Sequence, residues 1–103
     1  MEYKLTEAGK NVWKIGEDLA KEFGHLYLGT EHILYGLVKN DIGIVANIFK
    51  ESKVNSEYVY NLIEEIIGKN TPNYEIKGNT PRLNYVMECA YLESKKIGSE
   101  YIG

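Results

Sequence analysis

Residues Thr6–Gly29, TEAGKNVWKIGEDLAKEFGHLYLG, lie over residues Thr80–Gly103, TPRLNYVMECAYLESKKIGSEYIG, without a gap at an offset of 74 positions. Thr6/Thr80, Val12/Val86, Lys21/Lys95, Gly24/Gly98, Tyr27/Tyr101 and Gly29/Gly103 coincide, and Phe23/Ile97 and Leu28/Ile102 are conservative pairs. Self-similarity at a fixed offset marks a supersecondary unit used twice. Each copy reads as a cap residue, a long helix, a glycine stop and a Tyr-apolar-Gly tail. In the first copy that tail runs on into Thr30-Glu31-His32 and further helices, whereas the second reaches Gly103, where the sequence ends.

Outward from the repeat, apolar spacing predicts five helices. The first opens at Thr6, a favoured N-cap, with Glu7 placing negative charge at the positive end of the helix dipole. Ala8, Val12, Ile15, Leu19 and Phe23 recur at helical spacing up to the stop at Gly24. The second begins at Thr30 and is expected to bury Ile33, Leu34, Leu37 and Val38 before the Asn40-Asp41 turn. A third is expected over 43–52, with Val45, Ile48 and Phe49 on one face. The fourth follows the Asn55-Ser56 cap, turns Val59, Leu62, Ile63, Ile66 and Ile67 inward, and stops at Gly68.

Residues 69–79 hold Asn70, Thr71, Pro72, Asn73, Gly78 and Asn79 and read as a linker, with 74–77 as at most a brief extended piece. The fifth helix opens with Thr80-Pro81, a cap followed by proline at the first helical position, and carries Leu83, Val86, Met87, Ala90 and Ile97. The expected architecture is all-α, a bundle of about five helices. A full first repeat (1–68) and a linker (69–79) precede the opening helix of a second repeat (80–103).

Composition narrows the function. A chain of 103 residues with 44% apolar and 26% charged residues suits one domain or somewhat less, with a real core. The net charge is −3 and no basic stretch is interleaved with aromatics, which argues against nucleic acid as a partner. The longest apolar run, 42–49, is interrupted by Gly43 and Asn47 and is too short to span a bilayer. The single cysteine, Cys89, and the absence of a signal peptide suit a reducing cytoplasm.

The run Gly24-His25-Leu26-Tyr27-Leu28-Gly29-Thr30-Glu31-His32-Ile33-Leu34-Tyr35-Gly36-Leu37 resembles the Clp N-domain repeat, and Thr80-Pro81-Arg82 is similar to the opening of its second copy. The resemblance covers about Lys4 to Gly103 and is strongest to the ClpC-like unfoldases. It implies a pseudo-twofold pair of four-helix repeats that receives adaptor proteins and protein substrates in protein quality control and proteolysis. No Gly-x-x-x-x-Gly-Lys-Ser/Thr loop is present to cradle ATP, so the chain reads as a docking piece with no cofactor and not as the motor.

In ClpC-like members the domain binds phosphoarginine, and the resemblance carries that site onto three residues. Glu31 would pair with the guanidinium, and Thr6 with the free N–H groups of its helix would hold the phosphoryl oxygens. Lys4 stands where the family has arginine, keeping the charge but not the planar fork. A second, partial site would use Thr80 and Arg82, with its carboxylate partner beyond Gly103.

Plainer readings stand beside these. Glu31 behind Thr30 favours the helix dipole, and Thr6 and Thr80 are caps before they are ligands. His32 suits a polar anchor at a helix start and His25 part of the turn, with no Cys/His/Asp cluster at metal-ligand spacing. No Ser/His/Asp triad or acid–base carboxylate pair supports an enzyme.

The fifth helix is apolar almost all round, through Leu83, Tyr85, Tyr91 and Leu92 as well as the residues already named. These four are expected to form a partner surface, two copies of the chain completing one another as a closed symmetric dimer. The alternative is an excised fragment whose partner helices are absent. A free-standing dimeric regulator that binds Clp adaptors without a motor is the rival function.

Overall fold

A computed structural model describes residues 4–40, 51–52 and 54–103. Helix α1 spans Glu7–Glu22, α2 Thr30–Asn40, α3 Ser56–Ile66 and α4 Pro81–Lys96, and two short strands, β1 (Tyr27–Leu28) and β2 (Gly78–Asn79), pair in parallel. The fold is all-α in its architecture, as expected. The helix expected over 43–52 lies, apart from Glu51 and Ser52, outside the described residues.

The caps fall where the sequence puts them. Thr6 Oγ1 accepts the Gly9 amide at 3.1 Å and Thr80 Oγ1 accepts the Leu83 amide at 3.2 Å, so each helix start has one orphan donor satisfied. Asn55 Oδ1 does the same for Tyr58 N at 2.8 Å at the start of α3. Gly24 ends α1 at φ +68°, and its repeat counterpart Gly98 ends α4 at φ +77°, a left-handed conformation that suits glycine. The correspondence extends to the bonds that follow. His25 N reaches Ala20 O and Ser99 N reaches Ser94 O, both at 2.8 Å.

α1 and α2 cross antiparallel and unusually close. A Cβ at Gly16 would stand 3.0 Å from the His32 carbonyl oxygen, and one at Gly36 would overlap the Val12 carbonyl. That approach sets the rotation of α2 and corrects its expected face. His32, Tyr35, Gly36 and Val38 turn inward, while Leu34 and Leu37 are exposed. α3 also buries a narrower strip than expected. Val59 and Ile63 enter the core, but Leu62, Ile66 and Ile67 face solvent, because α3 meets its neighbours along one i,i+4 edge.

Two apolar clusters flank α1. Leu19, Phe23, Tyr35, Val38, Val59 and Ile63 pack between α1, α2 and α3. On an adjacent face of the helix Ala20, Leu28, Leu83 and Met87 pack with Leu5, Trp13, Ile33, Ile76 and Ile102. Leu83 is therefore not part of a partner surface. It is 1% exposed and sits at the centre of the second cluster. Tyr85 and Leu92 do remain exposed, and Tyr91 is half-buried with Lys95 Nζ 5.2 Å from its ring centroid.

The stretch 69–79 is strapped to the first repeat. Backbone bonds run from Asn70 N to Phe23 O (2.7 Å), Asn73 N to Lys21 O (2.9 Å) and Lys77 N to Leu26 O (2.7 Å), and Ile76 joins the second cluster. Its last two residues form β2, so an extended element exists one step beyond the 74–77 piece anticipated. Among the described residues no helix is long and apolar enough to cross a membrane.

Candidate functional site

The strands join the two repeats at two equivalent corners. Tyr27 pairs with Gly78 and Leu28 with Asn79, and the ladder closes with Thr80 N donating to Leu28 O at 2.8 Å. At the other corner Leu5 bridges Ile102 in parallel, and Thr6 N donates to Ile102 O at 3.0 Å. These bonds superimpose under the repeat offset: Thr80 for Thr6, Leu28 for Ile102, Gly29 for Gly103. Each helix N-terminus is thus positioned by the tail of the other repeat.

This arrangement divides the trio expected from the sequence. Lys4 and Thr6 stand at the second corner, where Ile102 N donates to Lys4 O at 2.8 Å and Gly103 packs against Thr6. Glu31 belongs to the first. It lines an open cleft with Gly24, His25, Leu26, Tyr27, His32, Ile67 and Asn70, at the far end of α1 from Thr6. With 16 residues in α1, those ends are roughly 24 Å apart. Thr80 and Arg82 share the Glu31 corner, because Thr80 is bonded to the residue that precedes Gly29. The exchange follows from parallel pairing between repeats, which a reading of either repeat alone does not reveal.

The Glu31 carboxylate folds back over Gly29, where a Cβ would overlap its oxygens, and its side chain is 31% exposed. It sits in the first turn of α2, with Oε1 3.8 Å from His32 Nδ1. Arg82 is exposed on the first turn of α4, beside the free amides of that helix. The turn that carries Glu31 and the electropositive helix start that carries Arg82 are therefore joined at one corner.

Beneath it lies a histidine relay. Gly29 N donates to His32 Nδ1 at 2.8 Å, and His25 Nε2 meets the Gly68 carbonyl oxygen at 2.8 Å. An amide only donates and a carbonyl only accepts, so His32 Nδ1 is an acceptor and His25 Nε2 carries a hydrogen. The remaining contact, His32 Nε2 to His25 Nδ1 at 2.8 Å, is then an N–H to lone-pair bond between two neutral rings. Burial pushes the His32 pKa down; Glu31 opposes the shift and His25 adds to it. The relay ties the start of α2 to the end of α3. The residue roles expected for His25 and His32, turn and polar anchor, hold, but their direct bond had no counterpart in the sequence reading.

Among the described residues no group of three or more His, Cys, Asp or Glu side chains is placed to hold a metal ion. Cys89 is exposed.

Geometry first defines the class: a helical repeat domain in which the tail of each copy pairs in parallel with the segment that precedes the other copy's first helix. The model of the Clp repeat (R) N-terminal domain matches residues 4–103, and the chain belongs to that family. It is 33% identical over 100 residues to the negative regulator of genetic competence ClpC/MecB of Bacillus subtilis (strain 168), covering 97% of this chain and 12% of that protein. It is 34% identical over 101 residues to the ATP-dependent Clp protease ATP-binding subunit ClpA homolog of Porphyra purpurea, again covering 97% of this chain and 12% of the relative. The chain thus spans about an eighth of the length of these relatives. The crystal structure of the N-terminal domain of the chaperone ClpD from Arabidopsis thaliana shares the fold, with a TM-score of 0.74 at 20% identity over 96% of this chain and 69% of that one.

Proposed function

We propose that the chain is an adaptor- and substrate-docking module of the Clp unfoldase type, working in cytoplasmic protein quality control, and that it recognises phosphoarginine-marked proteins. The observation that carries the ligand reading is the Thr80 N to Leu28 O bond, which sets the Thr80-capped, Arg82-bearing start of α4 beside the turn that leads into Glu31. A phosphoryl group suits free helix amides and Arg82, and a guanidinium suits a carboxylate. The pairing that supports this reading is Glu31 with Thr80 and Arg82, in place of Glu31 with Lys4 and Thr6. Lys4 and Thr6 form the equivalent anion-binding half at the other corner.

Calorimetric titration with free phosphoarginine tests the assignment. Glu31→Ala is expected to weaken binding by at least tenfold, in line with about 1.5–3 kcal/mol for a hydrogen bond to a charged group. Thr80→Ala should weaken it less and cost about 1 kcal/mol of stability through the lost cap. Lys4→Ala should leave this corner unaffected. Equal binding by native and Glu31→Ala protein would reject the site.

The rival reading is a free-standing dimeric regulator that binds adaptors. It is favoured by the exposed face formed by Tyr85, Val86, Leu92 and Ile97 on and just after α4. Sedimentation decides it. A dimer that Tyr85→Asp dissociates supports that reading, and a folded monomer at high micromolar concentration rejects it.

A further inference from the structure

We infer that Tyr27 is the specificity-determining residue of the Glu31 corner, its ring face stacking on a guanidinium held by the Glu31 carboxylate. The inference rests on the ligand reading above and extends it from charge to shape.

Charge comes first. The cleft that Tyr27 shares with Glu31 encloses about 410 Å³, within the range of small-ligand sites. Of the described residues around it, Glu31 alone brings a formal charge, since the relay bonds describe His25 and His32 as neutral rings. Among the described residues no lysine or arginine lines it. This part of the corner therefore selects a cation, and the helix start at Thr80 is left to take the anionic end of a ligand that carries both.

Shape comes next. Successive residues of a strand face opposite sides, and here Leu28 is 1% exposed while Tyr27 is 52% exposed. Among the described residues the Tyr27 ring and hydroxyl make no hydrogen bond, ion pair or ring contact, so no such bond ties the ring down. Leu26 and Ile67, both half-open to solvent, supply apolar walls beside it. An aromatic face next to a carboxylate discriminates between cations. A planar guanidinium stacks on the ring while its edge pairs with both carboxylate oxygens, whereas a compact, strongly hydrated ammonium gains less. The repeat places a second tyrosine at the equivalent position: Tyr101 precedes Ile102, which bridges Leu5, and is 49% exposed.

The test compares native chain, Tyr27→Phe, Tyr27→Ala and Glu31→Ala by calorimetry, with free phosphoarginine and free phospholysine as probes. Melting temperatures should agree within a few degrees across the Tyr27 variants. Tyr27→Phe is expected to bind phosphoarginine within twofold of native. Tyr27→Ala is expected to lose about three- to fivefold, the range of an exposed cation–π contact. Its preference for phosphoarginine over phospholysine should fall by the same factor. Loss with Glu31→Ala but native binding and preference with Tyr27→Ala overturns the role of Tyr27 and leaves the ligand reading standing. Tyr27→Phe as weak as Tyr27→Ala overturns stacking, since only the hydroxyl would then matter. No binding of phosphoarginine by native chain overturns both.

Discussion

Gly36→Ala is expected to lower the melting temperature by roughly 10 °C, although alanine is the better helix former by about 1 kcal/mol. The added methyl would overlap the Val12 backbone carbonyl, which has no rotamer to escape into. α1 and α2 must separate, and the cluster of Leu19, Phe23, Tyr35 and Val38 between them loosens with them. Overpacking of a tight contact costs about 1–3 kcal/mol, and here the upper end applies because the obstacle is main chain. The net loss, about 2 kcal/mol, corresponds to about 4–8 °C per kcal/mol for a domain of this size. Gly78→Ala is the control, since a Cβ there meets nothing within 4 Å. Thermal scans giving equal values for Gly36→Ala and native chain would refute the close crossing.

Removal of His32 should be at least as costly. His32 is 1% exposed, and His32→Leu keeps its bulk while stranding the Gly29 amide and His25 Nδ1. An unsatisfied buried group costs about 1–3 kcal/mol, so the pair sums to roughly 3 kcal/mol. Acid should act on the same relay. The folded pKa of His32 lies below its ordinary value of 6.5, because burial and His25 outweigh Glu31. Below pH 6.5 the unfolded chain takes up a proton that the folded chain refuses, so stability falls with pH. The contribution is complete above that value and is lost as the pH drops from there through the lower folded pKa. Urea midpoints recorded from pH 7.5 to 5 should decline in native protein and decline less in His32→Leu. Parallel slopes in the two proteins would remove His32 as the cause.

Helix starts and stops were the most legible part of the fold. Thr6, Thr80 and Asn55 announce caps by residue type, and Gly24, Gly68 and Gly98 announce ends, because these roles depend on a few adjacent atoms. Faces were less legible. Periodicity identifies Leu34 and Leu37 as apolar, but which way a helix turns depends on where its neighbour comes closest, and the glycine contact at Gly36 settled that for α2. Leu83 shows the same limit. Its apolar surroundings in sequence suggested an outer contact, yet it fills the space under Ala20 and Leu28.

The candidate site was legible in its members and not in its pairing. Glu31, Thr80 and Arg82 were each singled out, and so were Lys4 and Thr6. Their grouping depends on two-residue strands whose partners lie about fifty residues away or more, and a segment as short as Gly78-Asn79 carries no periodic signal of its own. Tyr27 was visible as half of an identical pair with Tyr101, but its exposure had to come from the fold.

The exchange of strands has a consequence for how the two halves can diverge. Neither copy completes a corner from its own residues, since each corner draws its backbone from both. The frame of each corner is backbone, the Leu28 to Thr80 bond and its Ile102 to Thr6 twin, and it tolerates different side chains at equivalent places. Gly78 is the counterpart of Lys4 under that equivalence, and Leu83 the counterpart of Gly9. The side chains at the two corners are thus free to drift apart while the joint that supports both stays the same.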